Sequence, residues 1–272
     1  MFSTAPVLPP GKFHGLVSHA FRLPDVTLVE TRYPNGEVLP PHAHQRPYIC
    51  AVLKGSFEEN SGGARRRCRA STILFRSAGE THSDRFGPAG ATCLNVELAE
   101  GFVDRLNPCA NLLAQPMQLE GGAAWLLALR LGREYRSPDA VTPLAIECLV
   151  QEMLLGVWRQ KDARAESSPW LRQARELLHD RFRERLALSE IAATVGVHPV
   201  HLARQFRRCF GFSVGEYQRR LRIEFVCRQV VAGRGSLATL AVESGFADQS
   251  HLMRSFQKLL GITPGVFARR AR

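Results

Sequence analysis

Two stretches of the sequence carry side chains suited to reading the edges of DNA base pairs. Arg204 and Arg254 each stand on the polar face of an amphipathic pattern, where a guanidinium can donate two parallel hydrogen bonds to guanine. In the second stretch, apolar residues recur at i, i+4 and i+7 as Leu252, Phe256 and Leu259, so they share one helix face. The opposite face is therefore left for contacts with a partner.

A short helix and a turn precede this second polar face. Leu237, Leu240 and Ala241 lie on one side of the short helix. Gly245 suits a left-handed turn position, and Asp248 can cap the helix that follows. A short helix, a glycine turn and an amphipathic helix with a basic outer face form the helix-turn-helix pattern.

The pattern occurs twice. The spacing between the copies is 49 residues before the turn and 50 after it, so the second copy holds one extra residue there. The matching positions are Ala192 and Ala241, Gly196 and Gly245, Leu202 and Leu252, Phe206 and Phe256, Gly211 and Gly261, and Tyr217 and Phe267. Two copies in register are much stronger evidence than one.

Residues 170–270 resemble the DNA-binding domain of AraC/XylS-type transcription regulators. The resemblance rests on the run Gly-Phe-Ala-Asp-Gln-Ser-His at residues 245–251 and on Phe256, Gly261, Thr263, Pro264 and Phe267. It implies two helix-turn-helix motifs joined by a long helix, with double-stranded promoter or operator DNA and RNA polymerase as partners. Activation of transcription is the commoner mode in this family.

The family's base-contacting positions fall on the outer faces of the two recognition helices. Arg204 is the candidate for guanine, whereas Val200 and Ala203 offer only apolar contact, for example to a thymine methyl group. The corresponding face of the second copy holds Gln249, Ser250, Met253, Arg254 and Gln257, and His251 matches the Ser-His pair of the family. Arg207, Arg208 and Lys258 are better placed for phosphate, which fixes register without reading sequence. For His251, a phosphate contact and a role in the fold both remain open.

The excess positive charge is concentrated in the same part of the chain. Residues 169–272 hold 18 Lys and Arg against 8 Asp and Glu, a net +10. Residues 1–168 hold 18 against 17, a net +1. A basic C-terminal part beside a nearly neutral N-terminal part indicates a polyanionic partner for the former only.

Cysteine usage and hydropathy bear on the compartment. The chain has 7 Cys with no Cys-x-x-Cys pair, and an odd number fits a reducing compartment better than a disulfide framework. No signal-peptide pattern opens the sequence, and no apolar run approaches the ~20 residues that span a bilayer. We therefore expect a cytoplasmic protein with no membrane partner.

The N-terminal part is predicted to form strands. Val26–Arg32, Tyr48–Phe57, Thr72–Phe75 and Ala91–Leu98 favour β structure and are separated by turn residues, which is typical of a small barrel or sandwich. The arginines at 65, 67 and 69 would share one face of a hairpin, as a solvated edge or, alternatively, as a site for an effector carboxylate.

Two runs in this part resemble the cupin motifs. The first consists of Gly36, His42, His44 and Gly55, and the second is Gly-Glu-Thr-His at residues 79–82. The resemblance implies a jelly-roll barrel, the kind of domain that serves as the sensor in many AraC-type regulators. Tyr48 replaces the cupin glutamate, Ser77 the proline and Phe86 the asparagine, so the fold is better supported than the metal.

The barrel residues that could bind an effector are His42, His44, Tyr48 and His82. Three imidazoles could instead hold a transition metal ion, which is the alternative interpretation. We expect no cofactor and no enzymatic activity. The competing hypothesis is a metal-binding cupin sensor, or a metal-dependent cupin enzyme, fused to a DNA-binding domain.

Helical spacing returns after the strands, over residues 120–131 and 141–158. Leu144, Cys148, Gln151, Leu155 and Trp158 form one stripe of a helix that is apolar on several sides and has to be covered. The family resemblance implies a homodimer formed through such helices. The polar residues from Arg159 to Ser168 are predicted to form a linker.

The helices of the C-terminal part can be placed from their caps. Ser168 and Pro169 open the domain, and Ala187 stands where a Ser or Thr cap is usual. A long helix from 214 to 231, ended by Gly233, would span roughly 27 Å. Such a rod can hold two recognition helices about one DNA turn, ~34 Å, apart.

Together these patterns predict an α+β multidomain chain. Its parts are a cupin-like sensor barrel over 1–112, a helical dimerisation segment over 113–158, a linker over 159–168 and an all-α DNA-binding domain over 169–272.

Overall fold

The computed structural model describes residues 5–105, 112–114, 116–166 and 168–271. The chain divides into two compact units, Met1–Leu154 and Leu155–Arg272. Cys109 lies within residues 106–111, which are outside the described ranges. Among the helices that the structure describes, none combines the length and apolar character needed to cross a bilayer.

The first unit is built on a nine-stranded mixed sheet. Its strands are β1 (Val7–Leu8), β2 (Leu16–Arg22), β3 (Val26–Tyr33), β4 (Val38–His44), β5 (Tyr48–Ser61), β6 (Ala64–Arg69), β7 (Thr72–Arg76), β8 (His82–Leu98) and β9 (Met117–Glu120). The four predicted strands are present, and β5 and β8 extend beyond their predicted ends. A mixed sheet followed by a helical C-terminal domain agrees with the predicted fold class.

Two long antiparallel strands organise the sheet. β5 and β8 pair from Tyr48 opposite Glu97 to Ser61 opposite His82. β8 also pairs with β3 and β4, and β5 also pairs with β6 and β7. The pairing is irregular around Gly55, whose φ is 74° and whose Cβ would lie 1.9 Å from the carbonyl oxygen of Gly90. Only glycine fits this crossing.

The strands that the sequence did not predict are β1, β2, β4 and β9, whereas β6 forms with β5 the hairpin in which Arg65, Arg67 and Arg69 share one exposed face. β4 contains Pro40 and Pro41, and β6 contains four arginines, so neither has the composition typical of a strand. They form because β8 and β5 offer them pairing edges. β9 pairs with β7 through Thr72 opposite Glu120, so the segment 113–158, predicted to be helical, begins with a strand instead.

The helices of the N-terminal part are α1 (Glu100–Arg105), α2 (Gly122–Arg136) and α3 (Thr142–Glu166). One face of α3 is buried, through Ile146, Leu149, Val150, Met153 and Leu154. The predicted stripe is the other face: Leu144 is 65% exposed and Leu155 is 39% exposed. The apolar character of α3 on both sides is therefore real, and only one side is covered within the described residues.

Residues 159–166 of the predicted linker are helical. α3 continues to Glu166, and the division between the two units falls inside this helix. Residues 159–166 contain no Gly or Pro, and Gln, Lys, Ala, Arg and Glu are good helix formers, so polarity alone did not end the helix.

The C-terminal helices are α4 (Pro169–Asp180), α5 (Leu188–Thr194), α6 (Pro199–Phe210), α7 (Val214–Val231), α8 (Leu237–Glu243), α9 (Gln249–Leu260) and α10 (Pro264–Ala271). α5 and α6 repeat as α8 and α9 at the predicted spacings. Gly211 and Gly261 end the two recognition helices in the left-handed conformation, with φ of 77° and 71°.

The predicted caps of these helices are largely present. Ser236 accepts a hydrogen bond from the amide of Thr239, whereas Ser168 occupies the N-cap position before Pro169 without a capping hydrogen bond from its side chain. Ala187 has no capping side chain, but its own amide donates to the Glu190 carboxylate at 2.7 Å. α5 is therefore held at its start by Glu190 rather than by a cap residue.

Candidate nucleic-acid interface and buried pocket

Helix α6 has a fully buried inner face, which leaves its opposite face directed outward. Leu202 and Phe206 are buried among α4, α5 and α7, and the Val200 amide donates to His198 Nδ1 at 3.3 Å at the start of the helix. The five predicted residues lie away from this core. Val200, Arg204, Arg207 and Arg208 are exposed, and Ala203 is half-buried.

The outer face of α9 is built in the same way. Leu252 and Phe256 are buried, and Asp248 Oδ1 accepts from the His251 amide at 2.7 Å. Five predicted residues are exposed and two, His251 and Met253, are half-buried; the exposed ones are Gln249, Ser250, Arg254, Gln257 and Lys258.

The His251 ring has a partner inside the domain. It stands edge-on to Phe246, with ring centroids 5.2 Å apart. Since Phe246 is buried just after the Gly245 turn, this contact ties the start of α9 to the turn. This contact favours a role of His251 in the fold over a contact with phosphate.

The two arginines assigned to bases are not engaged elsewhere. In the ranges that the structure describes, neither Arg204 nor Arg254 forms an ion pair, whereas Arg181 pairs with Glu184. An exposed guanidinium without a carboxylate partner keeps its donors for an external acceptor.

A second candidate site is a buried pocket in the first unit. His42, His44, Tyr48 and His82, the four predicted effector residues, all line it. The rings of His42 and His82 have centroids 4.3 Å apart, and the Tyr48 hydroxyl lies 3.2 Å from His82 Nε2. Tertiary packing thus brings together residues from β4, β5 and β8.

The imidazoles of His42, His44 and His82 are neutral at physiological pH, because the pKa of each is lowered. Burial lowers the pKa of His44 to about 3 and that of His82 to about 2, and the neighbouring His42 adds to both shifts. The pKa of His42 is also lowered, again chiefly by burial. Neutral imidazoles have a free ring nitrogen, which can accept a hydrogen bond or bind a metal.

The geometry of the three histidines is compatible with a transition metal ion. One ring nitrogen from each of His42, His44 and His82 lies within 4.8 Å of the others. His42 Nδ1 is 2.9 Å from the carbonyl oxygen of Pro40, which leaves its Nε2 free. A second group with similar spacing consists of Glu59, His82 and Asp84.

Sequence reasoning missed the acidic side of this pocket. Asp84 is 7% exposed, and burial raises its pKa to about 7 against the opposing charge of Arg76. Glu59 forms an ion pair with Arg76 inside the sheet. Strand alternation from His82 would have placed Asp84 on the same face, two residues on.

The N-terminal segment also contributes to the pocket. The Phe13 ring lies 4.7 Å from His44, and the His14 ring lies 4.5 Å from His42, measured between centroids. No local pattern in the sequence indicates these contacts.

Comparisons with known proteins agree with the helix-turn-helix interpretation. A protein-family model described as a helix-turn-helix domain matches residues 191–270. An AraC-like transcription regulator of Streptomyces lividans is 28% identical over 192 residues, covering 67% of this chain and 62% of that protein. The transcriptional activator AarP of Providencia stuartii is 32% identical over 83 residues, covering 30% of this chain and 62% of AarP. The chain therefore spans somewhat less than two thirds of these relatives.

Among solved structures, ToxT of Vibrio cholerae with bound unsaturated fatty acid is 13% identical, with a TM-score of 0.41, over 91% of this chain and 96% of ToxT. The sequence relatives and the paired motifs around Gly196 and Gly245 carry the assignment. Residues 191–270 thus match a helix-turn-helix domain, and the chain is similar in sequence to AraC-like transcription regulators.

Proposed function

We propose that this protein regulates transcription by binding a specific double-stranded DNA sequence with both recognition helices, α6 and α9. The observation that carries the proposal is the repetition of one arrangement: each helix buries a Leu and a Phe and turns a polar, basic face outward. Helices of this kind enter the major groove, and their outer side chains meet base edges.

The outer residues divide into two roles. Arg204 and Arg254 contact bases, together with Val200, Ala203, Gln249, Ser250, Met253 and Gln257. Arg207, Arg208 and Lys258 neutralise phosphates, since they lie nearer the C-terminal ends of the helices. His251 supports α9 through Phe246 rather than reading a base.

DNA selection tests the proposed function. The full-length chain is incubated with a pool of randomised duplexes, and bound molecules are amplified and sequenced. We expect enrichment of a sequence with two contacted segments about one helical turn apart, ~34 Å. Recovery of an unenriched pool would contradict sequence-specific binding.

We propose that the first unit is a cupin-like jelly-roll sensor whose buried pocket takes a small effector. The support is the polar atoms in it that lack partners: His14 Nε2, His44 Nδ1 and Asp84 Oδ1 are buried without a hydrogen bond among the described residues. Buried polar groups normally have partners, so a guest that supplies them would stabilise this unit. Compounds that raise the unfolding midpoint of the wild-type chain, but not of a His44→Leu variant, would be candidate effectors.

A metal ion is the second candidate for the pocket, and the spacing of the three histidines favours it. Metal analysis of the purified protein separates the two possibilities. One equivalent of a transition metal, lost in His82→Ala, supports a metal sensor; a substoichiometric content in the active protein contradicts it. The relatives are named as transcription regulators, which favours a sensor over an enzyme.

We further propose that the protein is a homodimer and an activator that contacts RNA polymerase. The exposed apolar face of α3 is the support for the dimer, because Leu144 at 65% exposure is costly unless covered. The support for activation is the similarity to AarP, which is a transcriptional activator. A reporter fused to a selected promoter, with and without the protein, tests the direction of regulation.

A further inference from the structure

The middle of α7 holds the loop between α4 and α5. Gln218 Nε2 donates to the carbonyl oxygens of Phe182 at 3.2 Å and Glu184 at 2.8 Å. One turn later, Arg222 donates to the same two carbonyls, from Nε at 2.8 Å and from Nη2 at 2.7 Å. This loop leads into α5, and its Phe182 packs against the core formed by α5 and α6, so we count it with the first helix-turn-helix motif.

Arg222 also reaches the second motif. Its Nη1 donates to the carbonyl oxygen of Gly245, the turn residue between α8 and α9. Arg222 is only 9% exposed, and its planar fork is satisfied by neutral backbone carbonyls of both motifs. Hydrogen bonds from a charged donor are stronger than neutral ones, and their loss would leave backbone carbonyls unpaired.

The two motifs also touch directly at Gly245. A Cβ on Gly245 would lie 1.9 Å from the carbonyl oxygen of Arg183, so the turn rests on the backbone of the α4–α5 loop. Gly196 occupies the matching turn of the first motif with a similar φ, +70° against +81°, and a Cβ there would meet nothing within 4 Å. The two glycines thus share a conformation but differ in this contact.

Helices of both motifs also pack on α7, which contacts α6 of the first motif and α8 and α9 of the second. A motif attached to a rod at one side can still rock or rotate about it. A second attachment beside the rod removes that freedom.

We propose that this junction, made of Phe182–Glu184, Gln218, Arg222 and Gly245, fixes the orientation of α6 relative to α9 and thereby determines the spacing of DNA segments that the protein accepts. Arg222 is the positioning residue of the junction. The inference rests on the proposed DNA binding by both helices. If only a fraction of the molecules hold α6 and α9 in the orientation that binds DNA, the apparent affinity for correctly spaced DNA is the intrinsic affinity multiplied by that fraction.

The test uses the full-length chain and the duplex that the wild type selects from a randomised pool. A second duplex carries one or two base pairs inserted between the two contacted segments. The variants are Arg222→Met, Arg222→Lys, Gly245→Ala and the control Gly196→Ala. Their folding is checked by circular dichroism, and binding to an unrelated duplex gives the sequence-independent affinity.

For the wild type we expect at least about tenfold weaker binding of the respaced duplex, because one set of base contacts is lost. The ratio of the affinity for the selected duplex to that for the respaced duplex should fall to about threefold or less in Arg222→Met and Gly245→Ala. Both variants should bind the unrelated duplex as the wild type does. Gly196→Ala should keep the wild-type ratio, since it shares the strain of a left-handed alanine but breaks no contact between motifs.

An unchanged ratio in Arg222→Met and Gly245→Ala would overturn the proposal, as would a wild type that does not distinguish the two duplexes. If Arg222→Met does not fold, Arg222→Lys takes its place, because an ammonium lacks the planar fork that spans the two motifs. If the wild-type chain selects no duplex at all, both the proposed DNA binding and the role of the junction are refuted. That result differs from one in which the variants bind DNA and still distinguish the two spacings, which refutes the junction alone.

Discussion

At the scale of single residues, similar arginines have different surroundings. Arg222 is buried and bonded to backbone carbonyls, whereas Arg204 and Arg254 are exposed and form no ion pair within the described ranges. The first supports the fold of the domain, and the other two are available to DNA. Exposure and partners, rather than residue type, separate these roles.

Replacing Arg204 or Arg254 by alanine should therefore reduce specific binding more than non-specific binding. A bidentate contact to guanine is worth about 1–3 kcal/mol, so we expect a roughly five- to hundredfold loss on the selected duplex. Arg208→Ala is the matched control and should weaken binding to selected and scrambled duplexes alike. Titration at one salt concentration measures both; an equal loss on both duplexes for Arg204→Ala would make Arg204 a phosphate contact.

At the scale of elements, a buried carboxylate joins the sheet to a helix. Glu30 on β3 accepts hydrogen bonds from Tyr135 and Arg136 at the end of α2, and from Ser18 Oγ on β2 at 2.9 Å. Burial alone raises its pKa, but these hydrogen bonds and the charge of Arg136 outweigh burial and hold the pKa below its usual 4.5. α2 is thus fastened to the sheet by an ionised group.

Glu30→Gln should lower the free energy of unfolding by about 1–3 kcal/mol near neutral pH, because it weakens a buried network. Since the folded pKa is lowered, the contribution of Glu30 is complete above about pH 4.5 and is lost as the pH falls through the lowered value. The difference in the free energy of unfolding between Glu30→Gln and the wild type should therefore become smaller at acidic pH. Urea unfolding at several pH values measures it.

The control for this prediction is Glu58→Gln. Glu58 pairs with Arg65 at 3.0 Å, but both side chains are largely exposed, so the change should cost at most about 1 kcal/mol. Equal losses in the two variants at neutral pH would contradict the role given to burial at Glu30.

At the scale of the whole molecule, two surfaces are expected to meet partners. The exposed face of α3 includes Leu144 and Leu155, and we expect a second copy of the chain to cover it. Leu144→Lys should shift the protein from dimer to monomer at micromolar concentration, as measured by light scattering. Val242→Lys, at a position 74% exposed on α8, should leave the mass unchanged; a monomeric wild type would remove the role given to α3.

The second surface is the basic face of the C-terminal unit, whose binding to DNA should weaken steeply with salt. The net +10 of residues 169–272 indicates several phosphate contacts. Each neutralised phosphate contributes about 0.9 to the slope of log K against log salt. Lys258→Gln should lower that slope by about this amount, whereas Gln257→Ala, which removes no charge, should leave it unchanged.

The sequence alone determined the features that depend on local spacing. The repeat at 49 and 50 residues, the glycine turns, most of the caps and the outward faces of α6 and α9 follow from helical periodicity and from residue preferences near helix ends. The clustering of His42, His44, Tyr48 and His82 came from the cupin resemblance rather than from spacing. β4 was not predicted, because its residues pair only when β8 is beside them.

Only the tertiary structure decided which distant residues meet. Phe13 reaches His44 across the pocket, and Arg222 bonds to Phe182, 40 residues earlier, and to Gly245, 23 residues later. Such contacts leave no periodic signal, because their partners are backbone carbonyls or rings brought close by packing. The end of α3 was not predicted for a related reason: the polar character of residues 159–166 does not indicate whether the helix before them stops, and α3 continues to Glu166.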